Sequence, residues 1–200
     1  MFKKFTLATL LVAGLTVAVH AETYKIDRGH SSVGFAVTHL GLSKVKGSFG
    51  QFSGNVVYDP ADVSKSVVDV SIDATSISTH SEGRDKHLKS GDFFAADSFP
   101  TITFKSVSVS PKGPKNFDVT GDLTLRGVTK PVTLAVELVG TMDDANMGKR
   151  AGFTASGTIN RQDFGVNWNN TLDAGGLVVS NDVDILLEIE AVVPKEKPAN

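Results

Sequence analysis

Apolar and polar residues alternate with a period of two along most of the chain, in segments separated by Gly, Asn, Asp or Pro. That is the pattern of half-buried β-strands bounded by turns. Val33, Phe35 and Val37 fall on one strand face, as do Val68, Val70 and Ile72, then Ile102 and Phe104, then Val119, Leu123 and Leu125 around Gly121. Val132, Leu134, Val136 and Leu138 follow, then Phe153, Ala155 and Ile159, and finally Val183, Ile185, Leu187 and Ile189. Thr, Ser, Asp, Glu and Lys fill most positions between, so one face is predicted inside and the other wet. Asp59-Pro60, Pro111-Lys112-Gly113-Pro114, Arg126-Gly127, Asp143-Asp144-Ala145-Asn146 and Ala174-Gly175-Gly176 read as the turns. The count is about eight strands. One segment reads as helix, Ser81 to Lys89, with Glu82, Arg84, Asp85 and Lys86 toward water, Leu88 inward and a stop at Ser90-Gly91.

An antiparallel meander of this length closes into a barrel or stacks as a sandwich, and alternation alone does not separate the two. Two features favour a single all-β antiparallel barrel. The stretch from Lys44 to Tyr58 reads as one long strand with Gly47, Gly50 and Gly54 where a strongly coiled strand needs relief. The inward faces also hold many Phe residues, and an eight-stranded barrel is wide enough inside for one ligand. No repeat, low-complexity run or linker divides residues 22–193, and the Pro- and Lys-bearing tail from Pro194 to Asn200 is expected to fray.

The first 21 residues form a secretory leader: Lys3 and Lys4, an apolar run from Leu7 to Val19, and the small-residue exit Val19-His20-Ala21, with cleavage expected after Ala21. The run is shorter than the ~20 apolar residues that span a bilayer. No Cys follows it for lipidation, and no twin-Arg pair precedes it. Cleavage leaves about 179 residues, enough for one domain with its own core. Lys3 and Lys4 leave with the leader and no acid does, so the net charge moves from −2 to −4, which gives no basis for nucleic-acid binding. With no Cys, an exported chain must be held by core burial, without disulfides or thiolate metal sites.

The chain lacks a Gly-x-Ser-x-Gly elbow, a phosphate-binding Gly-x-x-x-x-Gly-Lys loop and a Gly-x-Gly-x-x-Gly turn, and no catalytic group is assigned. His30 and His39 would be ~30 Å apart on opposite faces of one regular strand. His80 and His87 are two helical turns, ~10 Å, apart. Neither pair suits a metal, and none is expected. His39 ends the Val33, Phe35, Val37 face and reads either as a strand-end histidine or as a pocket-mouth group. Arg84, Asp85 and His87 form a polar cluster at the helix that anchors the helix or a ligand head group. Phe93-Phe94 and Phe99-Pro100 read as an end closure or a lid, and Trp168 sits in a Gly- and Asn-rich connection that could line an opening. Asn169-Asn170-Thr171 matches a glycosylation acceptor, a weak three-residue pattern.

Longer motifs resemble a known family. Asp27-Arg28-Gly29-His30-Ser31-Ser32-Val33-Gly34-Phe35-Ala36-Val37-Thr38-His39-Leu40-Gly41, with Val45-Lys46-Gly47-Ser48-Phe49 and Phe52-Ser53-Gly54, resembles the amino-terminal signature of the YceI-like family. So do Gly83-Arg84-Asp85-Lys86-His87-Leu88-Lys89-Ser90, Asp92-Phe93-Phe94 and Phe99-Pro100-Thr101-Ile102-Thr103-Phe104, then Gly121 to Val132, then Ile159-Asn160-Arg161-Gln162-Asp163-Phe164-Gly165-Val166. The resemblance spans the mature chain. It implies a lipocalin-like barrel in the bacterial periplasm, often a homodimer, that holds a polyisoprenoid or isoprenoid-quinone lipid as carrier or store and is not an enzyme. Phe35, Val37, Phe104, Leu123, Leu125 and Phe153 are then the expected wall, with Phe49, Phe52, Phe94, Phe164 and Trp168 as further ligand-facing candidates and His39 near the head group. No cofactor beyond the lipid is expected, and partners are the lipid, a second copy, and transient contact with a membrane or its proteins. Rival readings are a small-barrel enzyme using His39 with Asp85 or Arg84 on a lipid head group, and a stress-protective structural protein with a solid core.

Overall fold

The structure, a computed structural model, describes residues 21–170 and 176–195. The expected leader up to His20, the tail beyond Lys195, and Thr171 to Gly175 lie outside the described residues.

Eleven strand segments make one antiparallel sheet: β1 (Glu22–Ile26), β2 (Ser32–His39), β3 (Ser43–Phe49), β4 (Phe52–Tyr58), β5 (Val67–Asp73), β6 (Ile77–Ser78), β7 (Thr101–Pro111), β8 (Asn116–Leu125), β9 (Val128–Asp144), β10 (Gly148–Asn160) and β11 (Val179–Val192). Among the described residues the one α-helix is α1 (Glu82–Lys89). The segments reduce to eight strands. β1 and β2 form one strand interrupted by a 3-10 turn at Arg28–His30, where the Asp27 side chain accepts from Gly29 N. β3 and β4 form the next, broken at Gly50-Gln51. Pairings such as Lys25 with Asn55 and Val37 with Val45 show these two strands as halves of one bent hairpin. β11 then pairs with β10 on one side and with β1 and β2 on the other. That pairing closes the sheet into an eight-stranded barrel and leaves an unpaired edge only along part of β3 among the described residues, which excludes the sandwich.

The long strand expected from Lys44 to Tyr58 is therefore two segments with different partners. β3 pairs with β2 and the short β6, and β4 with β1 and β5. β6 reaches only Ser48 and Phe49, so the Ser43–Gly47 stretch of β3 has one edge without a strand neighbour, and Lys44 and Lys46 mark it, as charged residues do on exposed edges. α1 follows β6 on this side, and its Arg84 and Leu88 face the interior.

Turn chemistry is local and strong. Asp59 Oδ1 accepts from the amides of Ala61 and Asp62 at 2.9 and 3.0 Å, and Asp144 Oδ1 from those of Asn146 and Met147 at 2.8 Å each. Arg126 (φ 51°) and Gly127 (φ 74°) make the left-handed two-residue turn between β8 and β9. The connections sort by end. The Leu40–Leu42 tip, the segment from Ala74 to Pro100 with α1, the Arg126-Gly127 turn and the connection after Arg161 lie at one end, here the helix end. The turns 59–66, 112–115 and 145–147 lie at the other.

Gly54 pairs with Val70, and a Cβ on it would sit 2.5 Å from Asp69 O, so its place in the hairpin is set by backbone approach. Gly54→Ala is expected to lose about 1–3 kcal/mol of stability by overpacking. Gly140→Ala, where nothing lies within 4 Å of the new Cβ, should be neutral or gain up to ~1 kcal/mol. Chemical denaturation of both, read at constant m-value, checks the contrast.

Candidate ligand-binding site

The inward positions enclose a cavity of about 440 Å³. Every position of the predicted inner face lines it except Leu138, which is buried in the surrounding core. Inward Val183, Ile185, Leu187 and Ile189 on β11 are only partly buried for the same reason: they face open space, not opposing side chains. Polar wall groups are unevenly placed. His39, Thr79, Arg84, His87, Arg161 and the Trp168 indole belong to the helix end, whereas the far end contributes only Ser66 and the Tyr58 hydroxyl. Tyr58 packs edge-on against Phe153 with centroids 5.7 Å apart, and its hydroxyl pKa is raised by burial and then by Asp59.

The helix end is held by two networks of hydrogen bonds. In the first, buried Thr79 donates its amide (2.8 Å) and hydroxyl (2.5 Å) to Asp85 Oδ1. Arg84 Nε donates to the same hydroxyl at 2.7 Å and Nη2 to Thr79 O at 2.8 Å. Arg84 and Asp85 thus tie α1 back onto the connection that leads into it from β6. In the second, Arg161 is 5% exposed and donates to backbone carbonyls at Ser180 (3.0 Å), Val166 (2.8 Å), Trp168 (2.7 Å) and Val179 (3.5 Å), and to Asn181 Oδ1 at 3.4 Å. Burial lowers its pKa. One guanidinium therefore pins both arms of the connection that carries Trp168 and serves the carbonyls of Ser180, Val166 and Trp168, while Val179 O also accepts from Asn169 Nδ2 at 2.7 Å.

Three rings meet across this end. His87 is edge-on to Phe93 at 5.0 Å and to Trp168 at 5.1 Å, and Phe93 and Trp168 are 5.1 Å apart. His87 Nε2 lies 2.8 Å from Asp92 Oδ2, and Arg126 Nη1 donates to Phe93 O at 2.7 Å. Phe49 stands between Phe35 (6.0 Å) and Phe94 (5.7 Å).

Of the residues singled out from sequence, Phe35, Val37, His39, Phe49, Phe94, Phe104, Leu123, Leu125, Phe153, Trp168, Arg84 and His87 line the cavity. Phe52, Phe164 and Asp85 do not. Phe52 stands beside the strand break and is packed into the core cluster. Phe164 lies in the 3-10 turn Arg161–Phe164, not on a strand, and is 2% exposed. Asp85 turns back onto Thr79. Thr79, Phe93, Tyr58 and Val45 are wall residues that the alternation reading passed over, the first two because they sit in a connection. Asp27, His30 and Glu190 form the one metal-like cluster among the described residues. Arg150 supplies its cation, 3.2 Å from Asp27 Oδ2 and bonded to Glu190, so the cluster stitches β1, β10 and β11 together.

The family model for the YceI-like domain matches residues 24–191, from within β1 to within β11. The chain belongs to the YceI-like family. It is 43% identical over 193 residues to Protein YceI of Salmonella arizonae, and equally to that of Salmonella dublin, across 96% of each chain. Among solved structures it resembles BcnA of Burkholderia cenocepacia, with a TM-score of 0.74 and 26% identity over 84% of this chain and 99% of that one. The YceI protein of Campylobacter jejuni gives 0.69 and 28% over 98% and 100%. A polyisoprenoid binding domain from Saccharophagus degradans shares the fold, at a TM-score of 0.59 and 18% identity over 86% and 98%. The motifs that resemble the YceI-like family fall on β1 to β4, on the segment from α1 into β7, on the β8–β9 hairpin, and on the end of β10 with the connection after it.

Arg161→Ala leaves several carbonyls buried without donors and is expected to cost at least about 2 kcal/mol. Emission from Trp168, the single tryptophan, should shift red as its connection loosens. Denaturation followed by that fluorescence reads both effects. The Asp85 carboxyl is held below its ordinary range chiefly by the Thr79 hydroxyl. Its stabilising contribution is thus full above the ordinary carboxylate range and is lost as pH falls through the lowered folded value. Asp85→Asn should flatten that part of the acid limb in thermal unfolding measured across a pH series.

Proposed function

We propose that the protein is a periplasmic lipid-binding barrel that holds the prenyl chain of a polyisoprenoid or isoprenoid quinone along its axis, head group at the helix end, as carrier or store. One observation carries this reading: an apolar cavity of about 440 Å³ whose polar groups gather at one end, the shape and polarity of a pocket for a long amphiphile. The name of the Saccharophagus degradans neighbour points to the same ligand class, and the family resemblance points to the same compartment.

Energetics favour length. A buried methylene contributes ~0.8 kcal/mol, so a five-carbon isoprene unit offers roughly 3–4 kcal/mol. Association costs about 4–15 kcal/mol. One or two units held by apolar contact alone bind weakly, and several are needed before the surplus is useful. The same arithmetic explains why such a lipid needs a protein at all, since an extended prenyl chain is expelled by water.

We read the site as one for binding and not for turnover, with no cofactor. Asp85 and Arg84 spend their hydrogen bonds on Thr79, so the two groups that the enzyme reading would pair with His39 are engaged in holding α1, which supports the binding reading. The homodimer belongs to the same proposal and rests on the resemblance alone.

Native mass spectrometry of the mature protein, recovered from the cell envelope without detergent and then extracted with solvent, tests the reading. The expected result is one prenyl lipid per barrel, with occupancy reduced in Ala155→Phe, which projects a ring from one of the smallest wall positions. A barrel that is empty on isolation and stays empty when offered a prenyl quinone sinks the proposal.

A further inference from the structure

We propose that the helix-end lip docks on an anionic phospholipid bilayer through Leu40, Leu42 and Leu177, so that a prenyl chain passes between bilayer and cavity without crossing water. The inference rests on the lipid-holding reading above and adds the surface across which the lipid is exchanged.

Leu40 has φ 55° and Gly41 φ 68°, with Leu42 N donating back to His39 O at 3.0 Å. Turns with two left-handed residues ordinarily take Asn, Asp or Gly, which suffer little there, whereas leucine is strained. Packing does not ask for leucine either: Leu42 is 85% exposed and Leu40 36%. Leu40 N donates to Val178 O at 2.9 Å, which brings in Leu177, 44% exposed, from the neighbouring connection. Their chain neighbours His39, Val178 and Val179 line the cavity. The apolar wall at Val178 and Val179 therefore runs on along the chain into exposed Leu177, beside Leu40 and Leu42, and a cluster of exposed apolar groups marks an interaction surface.

Charge decides what the lip meets. The hairpin from Ser32 to Phe49 and α1 together carry Lys44, Lys46, Arg84, Lys86 and Lys89 against Glu82 and Asp85, on a chain whose net charge is −2. Asp184, on the adjoining strand, is taken up by Lys44. Among the described residues, Lys46, Lys86 and Lys89 have no carboxylate partner. At the opposite end, exposed Met142 and Met147 flank Asp143 and Asp144, which an anionic surface repels. Exposed apolar side chains on a hairpin that carries a free lysine, with further free lysines on α1 at the same end, are the combination that holds a peripheral protein on acidic lipid.

The test is sedimentation with phosphatidylcholine vesicles, with and without phosphatidylglycerol, comparing the mature protein with Leu40→Asn/Leu42→Ser. Neither residue lines the cavity, and Asn suits the left-handed position, so the variant should unfold at the same temperature or higher. The mature protein is expected to bind mixed vesicles more tightly than phosphatidylcholine alone, and the variant about tenfold or more weakly. Both should fill equally with a long-chain prenyl quinone offered from detergent micelles, read by quenching of Trp168. Equal vesicle binding by the two proteins, or none by the unaltered one, overturns the docking inference. So does self-association that the variant abolishes in a protein that binds no vesicle. Vesicle binding without any filling from micelles keeps the lip and overturns the lipid-holding reading instead.

Discussion

A closed eight-stranded sheet has its width set by strand number and stagger and not by the side chains it encloses. Here the seam of β11 against β1 and β2 fixes that width, and each inward position then looks across a set gap. Along the middle of the barrel the inward residues are largely Val, Ile and Leu with Ala155, which coat the wall without meeting across it. Ring contacts gather at the ends, Tyr58 with Phe153 at one and Phe49, Phe94, Phe93, His87 and Trp168 at the other. The channel is thus a result of placing bulk at the ends of a frame that cannot contract.

The helix end shows how connections become a site. Strand backbones satisfy one another, but the segments around α1 and after Arg161 have no ladder, and side chains take its place. Asp85 and Arg84 serve Thr79, and Arg161 serves four carbonyls. The opening is consequently rich in polar groups that are largely occupied with one another. On the proposed reading, an amphiphile's head would meet a rim whose polar groups are engaged in holding the connections.

The strand faces were legible because alternation reports which side of a pleat is inside, and that rule holds whatever the strand's partners. Hence Val33 through Ile189 read correctly, and α1 was placed within one residue of Glu82–Lys89. Alternation carries no information about pairing, so it separated neither barrel from sandwich nor the two halves of the Lys44–Tyr58 stretch, where Gly50-Gln51 breaks the run. It also fails in connections. Phe164 looks like a wall aromatic by composition but belongs to a 3-10 turn, and Thr79, between β6 and α1, gave no periodic signal at all. Arg161 entered through a family motif, while its grip on the Trp168 connection depends on folding distant carbonyls around it, which no local pattern records.

The closing pairs Lys25 with Val192 and Ile26 with Ala191 join the two extremities of the barrel. That has a consequence in time. Neighbouring hairpins can form as the chain emerges, but the seam waits until the last strand has arrived, a long-range closure of the kind that slows folding. Until then the apolar faces stand open to solvent and to other nascent chains, a hazard for aggregation. A barrel sealed by its first and last strands is all-or-none in synthesis as well as in structure, since a chain cut short before β11 keeps its greasy interior on display.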